Sequence, residues 1–250
     1  MLSARLARAF AGDGYSVIAI DADPDANLAA SLGFPNPDDV IPISEMDDLI
    51  EERTGAKPGQ SAPFYKLNPK VDDLPEKYSL KQDSIKLMVM GRIKRGGTGC
   101  YCPEGALLQA LLSHLLLARK EVVILDMEAG IEHLARGTAK VVDQLIVVVE
   151  PGRRSIETAL RIAELAQDLG VHNLAAVGNK VHNDSDREFI VSSLAGFRFL
   201  GFIPYDQALV DADIGNRPLL ESSERIAEAV EGIYQSLLAT GRDSAEKKYS

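Results

Sequence analysis

Short apolar runs, separated by longer amphipathic stretches, dominate the pattern of this chain. Each run is too short for most helices and suits a strand that is buried on both faces of a parallel sheet. The runs lie at Val17–Ile20, Ile85–Met90, Val122–Leu125, Leu145–Val149, Leu174–Gly178 and Phe197–Ile203. Patterns of helical period lie between them. This alternation predicts an α/β fold with a mostly parallel, doubly wound sheet and helices on both faces.

The helical patterns have clear ends. Leu2, Leu6 and Phe10 share one face of a short first helix, and glycines 12 and 14 follow it as a stop signal. Pro103 suits the first position of a helix that we expect to reach about residue 120. Further helices are predicted over about 155–169 and 223–239. We expect one α/β domain over residues 1–241 and a polar tail over 242–250.

A long irregular insertion interrupts this pattern at about residues 35–80. Residues 35–75 alone hold seven of the chain's twelve prolines and few apolar repeats. Only Asp47–Arg53 has a helical pattern, for which Ser44 is a candidate cap. Long insertions of this kind usually form lids, partner surfaces or disordered segments. We interpret this one as a lid or interface element within the domain.

Composition narrows the class of protein. The 250 residues carry a formal net charge of −10, which argues against nucleic acid as a partner. No apolar run reaches the ~18 residues of a membrane-spanning helix, so no membrane partner is expected. The chain has only two cysteines, which excludes a disulfide framework. We expect a cytoplasmic protein.

Polar residues follow the predicted strands at the same end. Asp21 and Asp23 come after the first strand, and the strands that follow end at Asp126, Glu150, Asn179 and Pro204. Ligands of open α/β sheets bind outside the carboxyl ends of the strands. One such residue means little, but five in succession predict a polar rim of the kind that a nucleotide site needs. Carboxylates there are suited to Mg²⁺ or to positioning a water against a phosphate.

Two of these strand ends match nucleotide-hydrolase patterns. A strand that ends in Asp126, with Gly130 four residues on, has the Walker-B form, in which the aspartate serves Mg²⁺ through water and the glycine amide serves a γ-phosphate. Asn179 and Lys180 resemble a base-reading segment. The full guanine signature has Asp at the position of His182, which favours adenine.

Cys100 and Cys102 flank Tyr101 and directly precede Pro103. A cysteine beside the start of a helix meets unpaired amides and the positive end of the helix dipole, which lower the pKa of its thiol. The plain alternative is two unremarkable thiols in a loop. We favour a metal-binding pair, because four glycines precede the cysteines and a helix start follows them.

Six segments, in this order, carry a resemblance to one family: DADPDANL, GTGCYCPE, LDMEAGIEHLARGT, VVVEPGRRSIETA, GNKV and IPYD. They look like the CooC family, nickel-insertion ATPases that mature carbon monoxide dehydrogenase. That family belongs to the MinD/ParA/nitrogenase-iron-protein group of deviant Walker ATPases. The resemblance covers nearly the whole chain.

The resemblance implies a role for each matching residue. Asp23 would orient the attacking water, Asp25 and Asn27 would belong to switch I, and Asp126 to switch II. Asn179 and Pro204 would flank the adenine of ATP. The resemblance further implies ATP-driven formation of a homodimer that holds Ni²⁺, or Zn²⁺, between Cys100 and Cys102 of both subunits.

The chain departs from this family in one large respect. The family begins with a strand and a glycine-rich phosphate-binding loop of the form KGGxGKS/T, and the printed sequence contains no such motif. Either the printed sequence starts after that motif, or the chain is a natural variant that cannot bind ATP normally. We favour the first, because every later nucleotide motif is intact. The chain as printed is expected to be impaired in ATP hydrolysis.

Three classes of function remain at this point. The first is an ATP-dependent metallochaperone that delivers nickel to carbon monoxide dehydrogenase. The second is a positioning ATPase of the MinD/ParA kind, but the tail is polar and the chain is acidic, so a membrane-binding helix and a DNA-binding face lack support. The third is a non-catalytic metal-binding scaffold. This class follows if the absence of a phosphate-binding loop from the printed sequence is a property of the natural protein.

Overall fold

The computed structural model describes residues 1–23, 25–58, 64–91, 103–117, 121–128, 142–215 and 223–246, with the side chains of 213 and 240–246 left out. The chain divides into two compact units. The N-terminal unit is Phe10–Val142, and the C-terminal unit is Met1–Ala9 together with Asp143–Ser250. Each unit has its own sheet.

The sheet of the N-terminal unit has the strand order β2-β3-β1-β4. Its strands are β1 (Val17–Asp21), β2 (Leu80–Gln82), β3 (Ile85–Val89) and β4 (Val122–Asp126). Strand β1 pairs in parallel with β3 and β4, while β2 is antiparallel to β3. All five residues of β1 are buried, as expected of a central strand with both faces covered.

The helices of the N-terminal unit follow the apolar pattern. They are α2 (Leu28–Leu32), α3 (Asp47–Thr54), α4 (Leu74–Tyr78) and α5 (Pro103–Leu117), preceded by α1 (Leu2–Gly12), which the two units share. Gly33 ends α2 with φ +78°, the left-handed conformation that glycine adopts without steric cost. Helix α5 starts at Pro103, as the sequence predicts, and buries five leucines, namely Leu107, Leu108, Leu111, Leu112 and Leu115.

Polar contacts fix the insertion internally and also join it to the sheet. Arg53 in α3 binds Asp73 with two hydrogen bonds of 2.7 and 2.8 Å, just before α4 begins. The backbone N–H of Ser44 donates to the carbonyl oxygen of Met90, directly after β3. Our prediction that Ser44 caps α3 is therefore wrong, since Met46 occupies that position without a side-chain cap.

The C-terminal unit is a three-stranded parallel sheet in the order β5-β6-β7. Its elements are β5 (Leu145–Val149), α6 (Arg153–Leu169), β6 (Leu174–Val181), α7 (Asp184–Ser193), β7 (Arg198–Pro204), α8 (Gln207–Ile214) and α9 (Glu224–Glu246). Gly178 in β6 is the register partner of Phe202 in β7, and the Phe202 ring fills the space where a side chain on Gly178 would lie. A Cβ on Gly178 would come within 2.4 Å of Phe202 Cδ1, so this position requires glycine. Helix α9 extends beyond its predicted end near residue 239.

The predicted α/β class with mostly parallel strands is confirmed. The described strands form two sheets of four and three strands, and the single-domain boundaries proposed from the sequence stay a prediction. Among the helices that the structure describes, none combines the length and the apolar character needed to cross a membrane.

Candidate functional site

The carboxylate of Asp21 lies buried where β1 ends. Its Oδ1 accepts a hydrogen bond from the N–H of Asp23 at 3.2 Å, and its Oδ2 accepts one from the N–H of Leu28 at 2.9 Å. The Asp21 side chain thus links the end of β1 to Leu28, the first residue of α2, by a hydrogen bond across residues 21–28. Asn27 occupies the position directly before this helix and makes no side-chain cap.

Asp25 and Asn27, which the resemblance assigns to switch I, form a turn with Asp23 just after Asp21 in the chain. Asp23 Oδ1 accepts the N–H of Asp25 at 2.9 Å, and Asn27 Nδ2 donates to the carbonyl oxygen of Asp25 at 2.8 Å. Asp25 and Asn27 are exposed, and Asp23 is half-buried. The structure therefore places Asp23, Asp25 and Asn27 in one polar turn, and their roles toward nucleotide stay a prediction.

Asp126 ends β4 beside this turn. It is the in-register partner of Asp21, and its carbonyl oxygen accepts the N–H of Ala22 at 2.9 Å. Burial raises the pKa of the Asp21 carboxyl, and the negative charges of Asp126 and Asp23 raise it further, against two lowering backbone hydrogen bonds. Asp21, Asp23, Asp25, Asn27 and Asp126 together are called the acidic turn below.

Three of the predicted site residues, Gly130, Cys100 and Cys102, lie outside the described residues. Within the part of the chain that the structure describes, no group of three or more His, Cys, Asp or Glu side chains is arranged to hold a metal ion. The described structure therefore adds nothing about the cysteine pair beyond the start of α5 at Pro103, one residue after Cys102.

The predicted base-reading residues lie in the C-terminal unit and converge on Glu150. Lys180 Nζ is 2.8 Å from Glu150 Oε1, and Asn179 Nδ2 lies 3.5 Å from the same oxygen. Lys180 has φ +53°, an unusual conformation for a residue with a side chain. Backbone strain of this kind concentrates at functional sites. Glu150, Asn179 and Lys180, with Pro204, are called the β6 corner below.

Pro204 lies next to these residues on the neighbouring strand. It is the register partner of Val181, and the N–H of Tyr205 donates to the carbonyl oxygen of Val181 at 3.0 Å. The ring of Tyr205 stacks on the ring of His182, with 4.4 Å between their centroids. The residue that departs from the guanine signature is thus packed against an aromatic ring.

Residues 1–219 match the family model of the CobQ/CobB/MinD/ParA nucleotide binding domain. The chain belongs to this family. It is 44% identical over 235 residues to the carbon monoxide dehydrogenase accessory protein CooC of Rhodospirillum rubrum, covering 93% of this chain and 89% of that relative. It is also 44% identical over 240 residues to the uncharacterized ATP-binding protein MJ0823 of Methanocaldococcus jannaschii, covering 95% and 92%. The resemblance to CooC is confirmed.

Solved structures of the MinD/ParA group share the fold. The MinC:MinD cell division protein complex of Aquifex aeolicus aligns with a TM-score of 0.65 and 21% identity, over 95% of this chain and 89% of that chain. A putative plasmid partition protein of Borrelia burgdorferi bound to AMPPNP aligns with a TM-score of 0.65 and 13% identity, over 95% and 92%. At these identities the likeness concerns the fold alone.

Membership of the CobQ/CobB/MinD/ParA family implies ATP and Mg²⁺ as ligands. Mg²⁺ takes oxygen ligands and usually keeps several waters, so Asp126 at the end of β4 could hold it through water, whereas both side-chain oxygens of Asp21 already accept backbone N–H groups. The fit to phosphate is incomplete in the printed sequence, since the motif whose lysine and amides cradle phosphates is absent from it.

Two residues, Asp21 and Glu150, contact the predicted site residues although the sequence pattern assigned them no separate role. Asp21 supports the turn that carries Asp23, and Glu150 contacts both Asn179 and Lys180. The sequence placed each of them at a strand end, but the position of a residue at a strand end does not by itself show whether its side chain is buried. The signal available was the position of Asp21 directly after a fully apolar run, where a buried carboxylate needs backbone partners.

Proposed function

We propose that this CooC-type protein is an ATP-dependent metallochaperone that binds nickel at a dimer interface and helps insert it into carbon monoxide dehydrogenase. The observation that carries the proposal is the 44% identity to CooC of Rhodospirillum rubrum, which extends over 93% of this chain. The acidic turn supports the ATPase part, because its carboxylates come from the ends of two adjacent parallel strands. We place the protein in the cytoplasm.

The acidic turn would serve the phosphate end of ATP. Asp23 is proposed to orient the attacking water, since it stands half-buried on a turn whose backbone is fixed by Asp21. Asp126 is proposed to hold Mg²⁺ through water. The cation, when bound, would neutralise charge that develops on the phosphates. Asp25, Asn27 and the amide of Gly130 are the proposed further contacts to nucleotide.

The β6 corner would serve the base. Asn179 and Lys180 lie near the end of β6, at the register shift between Gly178 and Val181, and Pro204 ends the neighbouring strand β7. An amide and a proline ring offer one hydrogen-bonding group and one flat apolar face, which suit the edge and the face of a purine. Adenine is proposed over guanine, because His182 replaces the aspartate of the guanine signature.

The cysteines would bind the metal as cargo. Two thiolates leave a four-coordinate Ni²⁺ or Zn²⁺ site half-filled, whereas a two-fold interface doubles what each subunit gives. Cys100 and Cys102 of two subunits supply four sulfurs. We therefore propose a homodimer with one shared metal ion and carbon monoxide dehydrogenase as its client.

The experiment is activation of nickel-free carbon monoxide dehydrogenase by the nickel-loaded protein. Wild type should activate the client at nickel concentrations where free Ni²⁺ alone does not, whereas Cys100→Ser should fail. His172→Ser, in an exposed residue of the loop before β6, is the matched control and should behave as wild type. Equal activation by wild type and Cys100→Ser would contradict the proposal.

One observation favours a second candidate, a nickel-binding protein that does not hydrolyse ATP. The printed sequence holds no phosphate-binding loop. The same activation assay separates the two candidates. If delivery proceeds equally with and without ATP, and hydrolysis stays at background, the non-catalytic carrier is the correct assignment.

A further inference from the structure

We infer that Asp21 is a positioning residue, which holds the backbone of the Asp23 turn and acts on ATP hydrolysis only through Asp23. The part of this inference that concerns ATP hydrolysis, its catalytic half, rests on the proposed ATPase function. The other part, that Asp21 holds the turn, concerns hydrogen bonds within the chain and rests on geometry alone. Neither the family resemblance nor the strand-end pattern assigned any role to Asp21 that differs from that of its neighbours.

Burial and pairing separate Asp21 from the other carboxylates. Its side chain is 1% exposed, and both of its oxygens accept backbone N–H groups, from Asp23 and from Leu28. Asp25, in contrast, is exposed, and Asp23 is only half-buried. A carboxylate whose two oxygens are both taken by the backbone is built to hold the chain rather than to contact a ligand.

The main chain at Asp21 is held in place by hydrogen bonds to the two neighbouring strands. Its carbonyl oxygen accepts the N–H of Met90 at 2.8 Å, and the next residue, Ala22, donates its N–H to Asp126 at 2.9 Å. The main chain at Asp21 is therefore tied to the ends of both neighbouring strands. The main chain at Asp21 cannot shift without breaking its hydrogen bonds to the two neighbouring strands. Because the Asp21 side chain in turn binds the N–H groups of Asp23 and Leu28, the sheet helps to fix the positions of these two amides.

A carboxylate is the group that this position requires. Two amide donors, five residues apart in sequence, need two acceptor oxygens on one short side chain, and asparagine would offer one oxygen and a competing NH₂ group. Burial raises the pKa of Asp21, and the charges of Asp126 and Asp23 raise it further, so an acid is retained here at an energetic cost. A buried side chain whose two oxygens accept two backbone N–H groups is suited to holding those amides in place.

The consequence for Asp23 follows from the turn. The backbone of Asp23 is held by Asp21, and its side-chain Oδ1 accepts the N–H of Asp25 at 2.9 Å. With both ends fixed, the carboxylate of Asp23 has little freedom to rotate, which is what orientation of a single water requires. Loss of the Asp21 bonds would release the backbone of the turn, so the Asp23 side chain would stay chemically intact but lose its fixed orientation.

The first test is amide hydrogen exchange of the 250-residue chain, followed by NMR. In Asp21→Asn, the N–H of Leu28 or of Asp23 should exchange at least tenfold faster than in wild type, while the N–H of Met90 should be unchanged. Asp38→Asn, the same change in an exposed residue of the same unit, is the control. Protection of both amides within twofold of wild type would overturn the inference.

The second test is a double-mutant comparison of ATP hydrolysis, in the chain extended at its N-terminus by a strand and a phosphate-binding loop. Asp21→Asn should lower kcat at least tenfold with KM within twofold, and Asp21→Asn combined with Asp23→Asn should be no slower than Asp23→Asn alone. Losses that multiply would show that Asp21 acts independently of Asp23. If even the extended wild type fails to hydrolyse ATP, the proposed function and the catalytic half of the inference are both wrong, while the exchange result still decides whether Asp21 holds the turn.

Discussion

Asp21 and Asp126 are in-register neighbours at the ends of β1 and β4, so two carboxylates stand side by side on adjacent parallel strands. The side-chain oxygens of Asp21 accept the N–H groups of Asp23 and Leu28, so this carboxylate fixes the local backbone. The turn that carries Asp23 therefore has a fixed base next to Asp126, the aspartate that we propose to hold Mg²⁺ through water.

The first prediction concerns ATP hydrolysis. The 250-residue chain should hydrolyse ATP no faster than background, because its sequence offers no lysine-bearing loop to hold the phosphates. Extension at the N-terminus with a strand and a KGGxGKS/T loop should give slow turnover. In that extended protein, Asp23→Asn and Asp126→Asn should each lower kcat at least about 100-fold. Phosphate release measures all four proteins.

The control for these variants is Asp38→Asn, which changes an exposed aspartate outside the acidic turn and should keep the full rate. Circular dichroism should show the same fold for every variant. Turnover by the unextended chain at the rate of the extended one would refute our assignment of the site.

The second prediction concerns the free edges of the two sheets. Among the described strands, β4 pairs with β1 alone, and β5 pairs with β6 alone. Every residue of β4 is only half-buried, and Val148 of β5 is 46% exposed. Apolar parallel strands with an unpaired edge promote aggregation, so the 250-residue chain should self-associate and melt at a low temperature.

A single charge tests this explanation. Val148→Lys should reduce the self-association seen by light scattering, because charged side chains protect edge strands. Val210→Lys makes the same change at an exposed position of helix α8 and should have little effect. Extension by an N-terminal strand should raise the melting temperature, and equal melting temperatures with and without it would count against this explanation.

The sequence predicts the strands well and the small polar elements poorly. Strands β1 and β3–β7 were recognisable because burial on both faces leaves an uninterrupted apolar run. Strand β2, Leu80–Gln82, has no such run, and its pairing depends on a tight turn in which Asp83 adopts φ +53°. A three-residue edge strand carries too little pattern to be identified from the sequence.

The candidate site shows the same division. Asp21, Asp23 and Asp126 were predicted to lie on one polar rim with Glu150, Asn179 and Pro204, since strand ends of a parallel sheet meet at one edge, and the family resemblance added Asp25 and Asn27. The partners that hold them were not predicted. Ser44 was expected to cap α3, but its N–H is taken by Met90, and α2 receives its side-chain hydrogen bond from Asp21 rather than Asn27. Both depend on contacts distant in sequence, which local capping rules do not contain.

The third prediction concerns the pH dependence of stability. Hydrogen bonds from Arg53 and Lys77 hold the pKa of the Asp73 carboxyl well below its usual range. A lowered folded-state pKa adds stability at pH values above the unfolded-state pKa, 3.8, and that stability is lost as the pH falls through the folded-state pKa. Asp73→Asn should therefore lower the melting temperature at neutral pH, and the difference from wild type should shrink in strong acid.

The matched control is Asp72→Asn, one residue earlier. Its only described ion pair is with Lys70 at 3.6 Å, and both side chains are largely exposed. Exposed pairs contribute little, so this variant should melt close to wild type at every pH. Thermal unfolding followed by circular dichroism compares the three proteins. A gap between wild type and Asp73→Asn that stayed constant down to the lowest pH would contradict the ion-pair explanation.

The last prediction concerns the stoichiometry of metal binding. Titration with Ni²⁺ or Zn²⁺ should saturate near one metal ion per two chains and should shift the protein to a dimer, because one chain has only two thiol sulfurs, those of Cys100 and Cys102. Binding should release protons, since thiolates are the ligands. Cys100→Ser and Cys102→Ser should each lose both metal binding and dimer formation, whereas Ser113→Ala, whose hydroxyl donates to Gln109 within α5, should retain them. Analytical ultracentrifugation with metal analysis decides the question, because saturation at one ion per chain in a monomer cannot arise from a shared four-sulfur site.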